Sequence, residues 1–249
     1  MSLDNDFKND TKLYSCILLS GGMSRRMGQD KGSMIIQDKP MVFHILNKLN
    51  HQINDCVIVL NDSQRIANYE ELLNQYSEDT IYNEFDYKIS FVEDEIKDKG
   101  PLSGIMTGLK NIETEYAIVL PCDSPFVNDE YFANMFDLIE SKSLPHAIIP
   151  FHTSLNHEKD IIDDDIISMD FKEMSIEDKI KMSEPLHSIY SKSTLDNIYS
   201  LLENDDLFVK SFIRSINKSH FVLIDDIDIK EINFKNLNRK EDLKLLDLL

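Results

Sequence analysis

Apolar positions along the chain alternate between short continuous runs and longer sets at helical spacing. Tyr14-Ser-Cys-Ile-Leu-Leu-Ser20 is a compact apolar run that stops at Gly21-Gly22, the pattern of a strand buried on both faces. After Pro40, Met41, Ile45, Leu46 and Leu49 recur at helical spacing. Cys56–Leu60 predicts a second strand, and Ile66, Tyr69, Leu72 and Leu73 predict the helix after it. A strand over 88–92, a helix over 102–110 and a strand over 116–120, stopped by Pro121, continue the alternation. The order βαβαβαβ predicts a mostly parallel sheet with helices on both faces, a three-layer α/β architecture.

Further along, Tyr131, Met135 and Leu138 mark a helix, and Ala147-Ile-Ile-Pro-Phe151 a strand. Residues 152–184 change character. They are polar, lack glycine, carry Asp163-Asp164-Asp165, and predict an acidic excursion from the core. A strand over 186–190, helices near 194–204 and 207–216, a strand over 221–224 and a helix from Arg239 follow. With no repeat and no linker, residues 1–249 are expected to form a single domain with an insertion.

Composition narrows the partners. Lys and Arg number 26 against 45 Asp and Glu, a formal charge of −19. Such a surface is repelled by nucleic acid and by anionic lipid. No apolar run reaches the roughly 18 residues of a membrane-spanning helix, and the acidic N-terminus has no signal-peptide core. Cys16, Cys56 and Cys122 are widely spaced, without a CxxC, which fits a reducing cytoplasm. The seven histidines form no ligand set.

Glycine changes the picture most. Only 7 of 249 residues are glycine, under half of the usual share of about 7%. All lie in two windows: Gly21, Gly22, Gly28 and Gly32, then Gly100, Gly104 and Gly108. Arg25, Arg26 and Lys31 make the first window a basic island in an acidic protein, opposed there only by Asp30. Backbone N–H groups without neighbouring side chains, plus cations, point to phosphate binding. The string is neither GxxxxGK[ST] nor GxGxxG. In a parallel sheet ligands bind at the carboxyl ends of the strands, where Gly21-Gly22, Asp94 and Asp123 are expected to converge.

Leu18-Leu-Ser-Gly-Gly-Met-Ser-Arg-Arg-Met-Gly-Gln-Asp-Lys-Gly32 resembles the signature L-[AS]-G-G-x-S-x-R-M-G-x-D-K of the molybdenum cofactor guanylyltransferases. These are MobA-like nucleotidyltransferases with the Rossmann-like fold of nucleotide-diphospho-sugar transferases. Gly100–Leu109 is similar to the family's GPLAGxxxGL, and Leu120–Phe126 to its PCD(T/S)PF. Glu184–Tyr190 resembles its PLxxxY strand and Asn236–Leu243 its NxNTPEDL element. Five motifs in order span residues 14 to 243.

The resemblance implies transfer of GMP from GTP to the phosphate of molybdopterin or Mo-molybdopterin, with pyrophosphate released. It implies that Leu19, Ser20, Gly21 and Gly22 hold the nucleotide through main-chain groups. Lys31 would contact the phosphates, Arg26 or Arg25 would assist, and Asp123 would bind Mg²⁺. Asn61, Asp94, Gly100 and Gly104 would lie along the nucleotide, with packing an equal alternative for Gly108. Asn236 and Asn238 would face the pterin, although Arg239-Lys240 replaces the family's Thr-Pro. Transient contact with molybdoenzymes or other cofactor-synthesis proteins follows from such a product. Other readings stay open here: a cytidylyltransferase, a sugar-phosphate or phospholactate nucleotidylyltransferase, or a non-catalytic GTP-binding regulator.

Overall fold

The computed structural model describes residues 14–21, 30–77, 84–152, 174–224, 231–237, 242 and 244. Its centre is a seven-stranded sheet. Four strands run parallel: β1 (Tyr14–Leu19), β4 (Asp55–Leu60), β5 (Lys88–Glu93) and β6 (Tyr116–Pro121). Beyond β6 lie β8 (Ile189–Ser191), β7 (Ala147–Phe151) and β9 (Ser219–Leu223), giving the order β5-β4-β1-β6-β8-β7-β9. Among the described strands of this sheet, β8 runs antiparallel to both of its neighbours. A two-stranded hairpin, β2 (Ile35–Ile36) with β3 (Lys39–Pro40), turns through Gln37 and Asp38 at φ 45° and 67°.

Alternating residues of the strands feed two cores, because successive side chains leave a strand on opposite faces. Cys16, Leu18, Ile58 and Leu120 point to one face. There they meet α1 (Met41–Lys48), α2 (Ser63–Tyr76) and α4 (Asp129–Ser141) through Leu46, Leu73 and Phe132. Ile17, Val57 and Val119 point to the other face. They meet α3 (Gly100–Asn111), α6 (Leu195–Glu203) and α7 (Val209–Ser215) through Ile105, Ile198 and Phe212. The expected three-layer architecture is therefore present.

Two local expectations shift. The strand placed over 186–190 begins later, because Pro185–His187 forms a 3₁₀ turn before β8. Proline fixes φ and gives no N–H to a ladder; its carbonyl instead accepts from the Tyr190 hydroxyl at 2.9 Å. The end of the acidic segment is packed: α5 (Ile176–Lys181) follows Met174, and buried Met174 and Met182 sit against Phe151. The rest of that segment, 153–173, and the helix expected from Arg239 lie outside the described residues, apart from Asp242 and Lys244.

Candidate active site

β1 lies between β4 and β6, the point where the chain order reverses and where a crevice opens in sheets of this kind. The parallel ladder runs one residue past the strand ends. Ser20 N–H donates to the Val59 carbonyl at 2.9 Å, Cys122 N–H to Leu19 at 3.0 Å, and Asp94 N–H to Leu60 at 2.7 Å. Asp94, Asn61, Ser20-Gly21 and Asp123 thus stand in a row on four adjacent strands. Three inter-strand steps make it about 14 Å long. The Asn61 amide oxygen lies directly against Gly21, where any Cβ would collide with it.

Lys31 and Asp123 meet. Lys31 Nζ donates to Asp123 Oδ2 at 2.5 Å, with side chains only 18% and 11% exposed. A turn presents the lysine: Met34 N–H reaches the Lys31 carbonyl at 3.1 Å, and Val42 N–H reaches Gly32 at 3.0 Å. Between Ser20 and Asp123 lies the Cys122 thiol, whose pKa burial pushes up to about 12.

A second cluster holds the two described flanks of the first glycine window. Arg65 Nη2 donates to the Ser20 carbonyl at 2.7 Å and to Asp30 Oδ2, and Nη1 to the Gly21 carbonyl at 3.3 Å. Asp30 Oδ1 accepts from Tyr69 Oη at 2.5 Å and from Gly32 N–H at 3.0 Å. Burial works against the Arg65 charge, yet Asp30 and Tyr69 outweigh it and raise the guanidinium pKa. Burial first, then Cys122 and Asp30, raises the Tyr69 pKa, so the phenol keeps its proton. That proton goes to Asp30, which leaves the Ser20 hydroxyl as donor in its 2.6 Å contact with Tyr69.

The second glycine window is tied to Asp94. Ser103 and Thr107 on α3 donate to Asp94 Oδ1 at 2.6 and 3.0 Å. Gly100 opens α3 at φ +67°, a conformation costly for a residue with Cβ. Gly104 and Gly108 face β1: a Cβ on Gly104 would stand 2.9 Å from Leu19 Cδ2, and one on Gly108 would overlap Ile17. At Gly104 and Gly108 the bare face of α3 is therefore turned to the sheet and packs closely on β1, whereas a Cβ on Gly100 would meet nothing within 4 Å.

Asp123 is also joined to the C-terminal motif. Its carbonyl accepts from Leu237 N–H at 2.9 Å. Ser124 donates its hydroxyl to Asn236 Oδ1 and lies 3.1 Å from His187 Nε2. With the serine proton so used, His187 donates from Nε2, and its buried Nδ1 is left without a hydrogen-bond partner. Burial lowers the His187 pKa to about 4, so the ring is neutral near pH 7. His187, Asn236 and Pro121 border a cavity of about 580 Å³ that extends to Phe208 and Lys210.

Of the residues singled out from the sequence, Leu19, Ser20, Gly21, Lys31, Asn61, Asp94 and Asp123 share one sheet edge. Gly100 and Gly104 stand behind it on α3, and Asn236 beside Ser124. Gly22, Arg25, Arg26, Gly28 and Asn238 lie outside the described residues. Sequence reasoning passed over Arg65, Tyr69, Ser124 and His187. The signal for the first two was present: Arg65 and Tyr69 are four apart on the helix that follows β4, and so share a face. Among the described residues no group of three or more His, Cys, Asp or Glu side chains forms a metal cluster. No described helix is long and apolar enough to cross a membrane.

A doubly wound sheet with a glycine-flanked loop, a lysine and an aspartate at its switch point defines a nucleotidyltransferase. Residues 16–220 match the MobA-like NTP transferase domain, and the chain belongs to that family. It is 31% identical over 94% of its length to a probable molybdenum cofactor guanylyltransferase from Methanothermobacter thermautotrophicus, covering all of that protein. A protein of the same description from Peptoclostridium acidaminophilum is 28% identical, over 94% of this chain and 88% of its own. In fold the chain resembles molybdopterin-guanine dinucleotide biosynthesis protein A from Archaeoglobus fulgidus. There the TM-score is 0.64 at 19% identity, over 94% of this chain and 97% of the other.

Proposed function

We propose that this protein transfers GMP from GTP to the terminal phosphate of molybdopterin, in its metal-free or molybdenum-loaded form, and releases pyrophosphate. The observation that carries this reading is the Lys31–Asp123 contact beside the Ser20-Gly21 peptides, in a chain whose relatives of nearly equal length bear the guanylyltransferase name. An acceptor phosphate oxygen attacks the α-phosphorus of GTP, the bond from that phosphorus to the β-bridging oxygen breaks, and pyrophosphate departs.

Such a transfer needs alignment and charge neutralisation more than covalent help. The main-chain turn of Leu19, Ser20, Gly21 and Gly22 holds the nucleotide, the Gly21 N–H being free of the strand ladder to meet phosphate. Lys31, assisted by Arg26, stabilises the charge that grows on the leaving pyrophosphate. Asn61 and Asp94 hold the nucleoside end, with Gly104 seating α3 behind them and Gly100, at the open start of α3, lying along the nucleotide. Asn236 and Asn238 meet the pterin edge, which offers donors and acceptors to an amide. A single carboxylate suits Mg²⁺ shared with substrate phosphates better than a caged ion; Asp123 would hold it, and the metal would neutralise phosphate charge. The three buried, free cysteines support a reducing, cytoplasmic setting.

The test is pyrophosphate release by the purified protein with molybdopterin, Mg²⁺ and GTP, CTP or ATP, with the product identified by mass. GTP should lead clearly. Equal rates with all three, or a lead for CTP, would overturn the assignment.

A further inference from the structure

We propose that Arg65 and Tyr69 form a positioning clamp that sets the glycine window for triphosphate binding without touching the phosphates; the proposal rests on the nucleotidyltransferase reading above. Arg65 binds three acceptors on two separate stretches of chain: the Ser20 and Gly21 carbonyls on one side of the window and the Asp30 carboxylate on the other. Tyr69, one helical turn later, adds Asp30 Oδ1 and the Ser20 hydroxyl. Both side chains come from α2, whose start is fixed by Asp62 accepting from Arg65 N–H at 2.8 Å.

Two physical consequences follow. A trans peptide is planar, with its C=O and N–H pointing in opposite directions, and no peptide among the described residues is cis. Turning the Ser20 carbonyl toward Arg65 therefore turns the Gly21 N–H away from it, toward the carboxyl-end crevice where an anion is to be received. The second consequence is electrostatic. Asp30 adjoins Lys31 in sequence, and its negative charge would oppose a triphosphate and compete with Asp123 for the lysine. Arg65 and Tyr69 occupy both Asp30 oxygens and draw that charge to the α2 side. The Arg65 side chain is 14% exposed, so the pair is shielded from the screening that weakens surface ion pairs.

Gly32 supports the same assignment. A Cβ there would meet the Tyr69 hydroxyl, and would stand 2.9 Å from Ser20 Oγ. The window's last glycine thus makes room for the clamp.

The experiment compares wild type, Arg65→Ala, Arg65→Lys and Tyr69→Phe by calorimetric titration with GTP, CTP and ATP, alongside steady-state kcat and KM and thermal melting. Arg65→Ala should weaken binding of the preferred triphosphate by about ten- to a hundredfold, the loss expected for hydrogen bonds involving a charged group. Millimolar guanidinium should recover part of that loss, which a merely structural defect would not show. Arg65→Lys keeps the charge but cannot span three acceptors, and should bind several-fold more weakly than wild type at an unchanged melting temperature. If Arg65→Ala does not fold, the Arg65→Lys and Tyr69→Phe affinities decide. Wild-type affinity in these variants, or a loss in Arg65→Ala that guanidinium leaves untouched, would overturn the clamp. A wild type that prefers another triphosphate corrects the substrate and leaves the clamp to be judged with that nucleotide. A wild type that binds none overturns both.

Discussion

Lys31 Nζ lies 2.5 Å from Asp123 Oδ2, although 92 residues separate them. The pair joins the two motifs to which the proposed reaction assigns opposite tasks: the lysine for phosphate, the aspartate for a divalent cation. Asp123→Asn should abolish magnesium-dependent turnover while leaving the melting temperature close to wild type. Lys31→Met should slow transfer by roughly 10²- to 10³-fold, the scale of losing one contact to developing charge. The same variant removes the cation from the aspartate, so Mn²⁺ should bind it more tightly than wild type without nucleotide. Pyrophosphate assays and Mn²⁺ electron paramagnetic resonance measure the two effects; unchanged turnover in either variant removes that residue from its role.

Gly104 and Gly108 separate packing from helix propensity. Replacing either by alanine gains about 1 kcal/mol of propensity. At Gly104 the obstacle is one methyl of Leu19, the movable end of a side chain, so Gly104→Ala should melt within a few degrees of wild type with unaltered nucleotide affinity. At Gly108 the new methyl would fall among three atoms of Ile17, a stiff β-branched side chain buried in the central strand. Overpacking of this kind costs about 1–3 kcal/mol and outweighs the propensity gain. Thermal denaturation should rank Gly108→Ala clearly below Gly104→Ala.

His187 predicts a pH dependence of stability. Its folded pKa is depressed from 6.5 to about 4 by burial. Between those values the unfolded chain binds a proton that the folded chain refuses, so stability falls as pH drops through the window. Below about pH 4 this contribution no longer changes. The shift corresponds to about 3 kcal/mol at most. Urea denaturation at several pH values should show a shallower acid loss in His187→Gln than in wild type, and parallel curves would refute the assignment.

All three cysteines are buried and free. Burial pushes the Cys122 thiol up to about 12, and reactivity follows the thiolate. Ellman's reagent should therefore find no rapidly reacting thiol in the native protein and three after denaturation. A fast thiol in the native state, mapped to Cys122, would mean that the segment before Asp123 opens readily.

The strands were legible because parallel, doubly covered strands leave short unbroken apolar runs such as Cys56–Leu60, and the helices because Met41, Ile45 and Leu49 keep their period. The hairpin at 35–40 was not: Gln37 and Asp38 take its positive-φ positions without the Asn-Gly or Asp-Gly pair that usually marks such a turn. Lys31 and Asp123 stood out through motifs, and strand order then explained why distant motifs meet. Arg65 did not, because an arginine on an amphipathic helix looks solvated until its partners are seen. His187 was likewise hidden, since its importance depends on Ser124 and Asn236, 63 residues before it and far after it in the chain.

The hydrogen bond from Leu237 to the Asp123 carbonyl bears on how the protein is made. A growing chain that has emerged only through α4 already contains Lys31, Arg65, Asp94 and Asp123. It lacks the stretch that secures the carbonyl of the aspartate and supplies Asn236 to Ser124. A chain of that length therefore carries the proposed donor side of the site without its brace, and the ribosome must deliver nearly a hundred further residues before Leu237 can reach that aspartate.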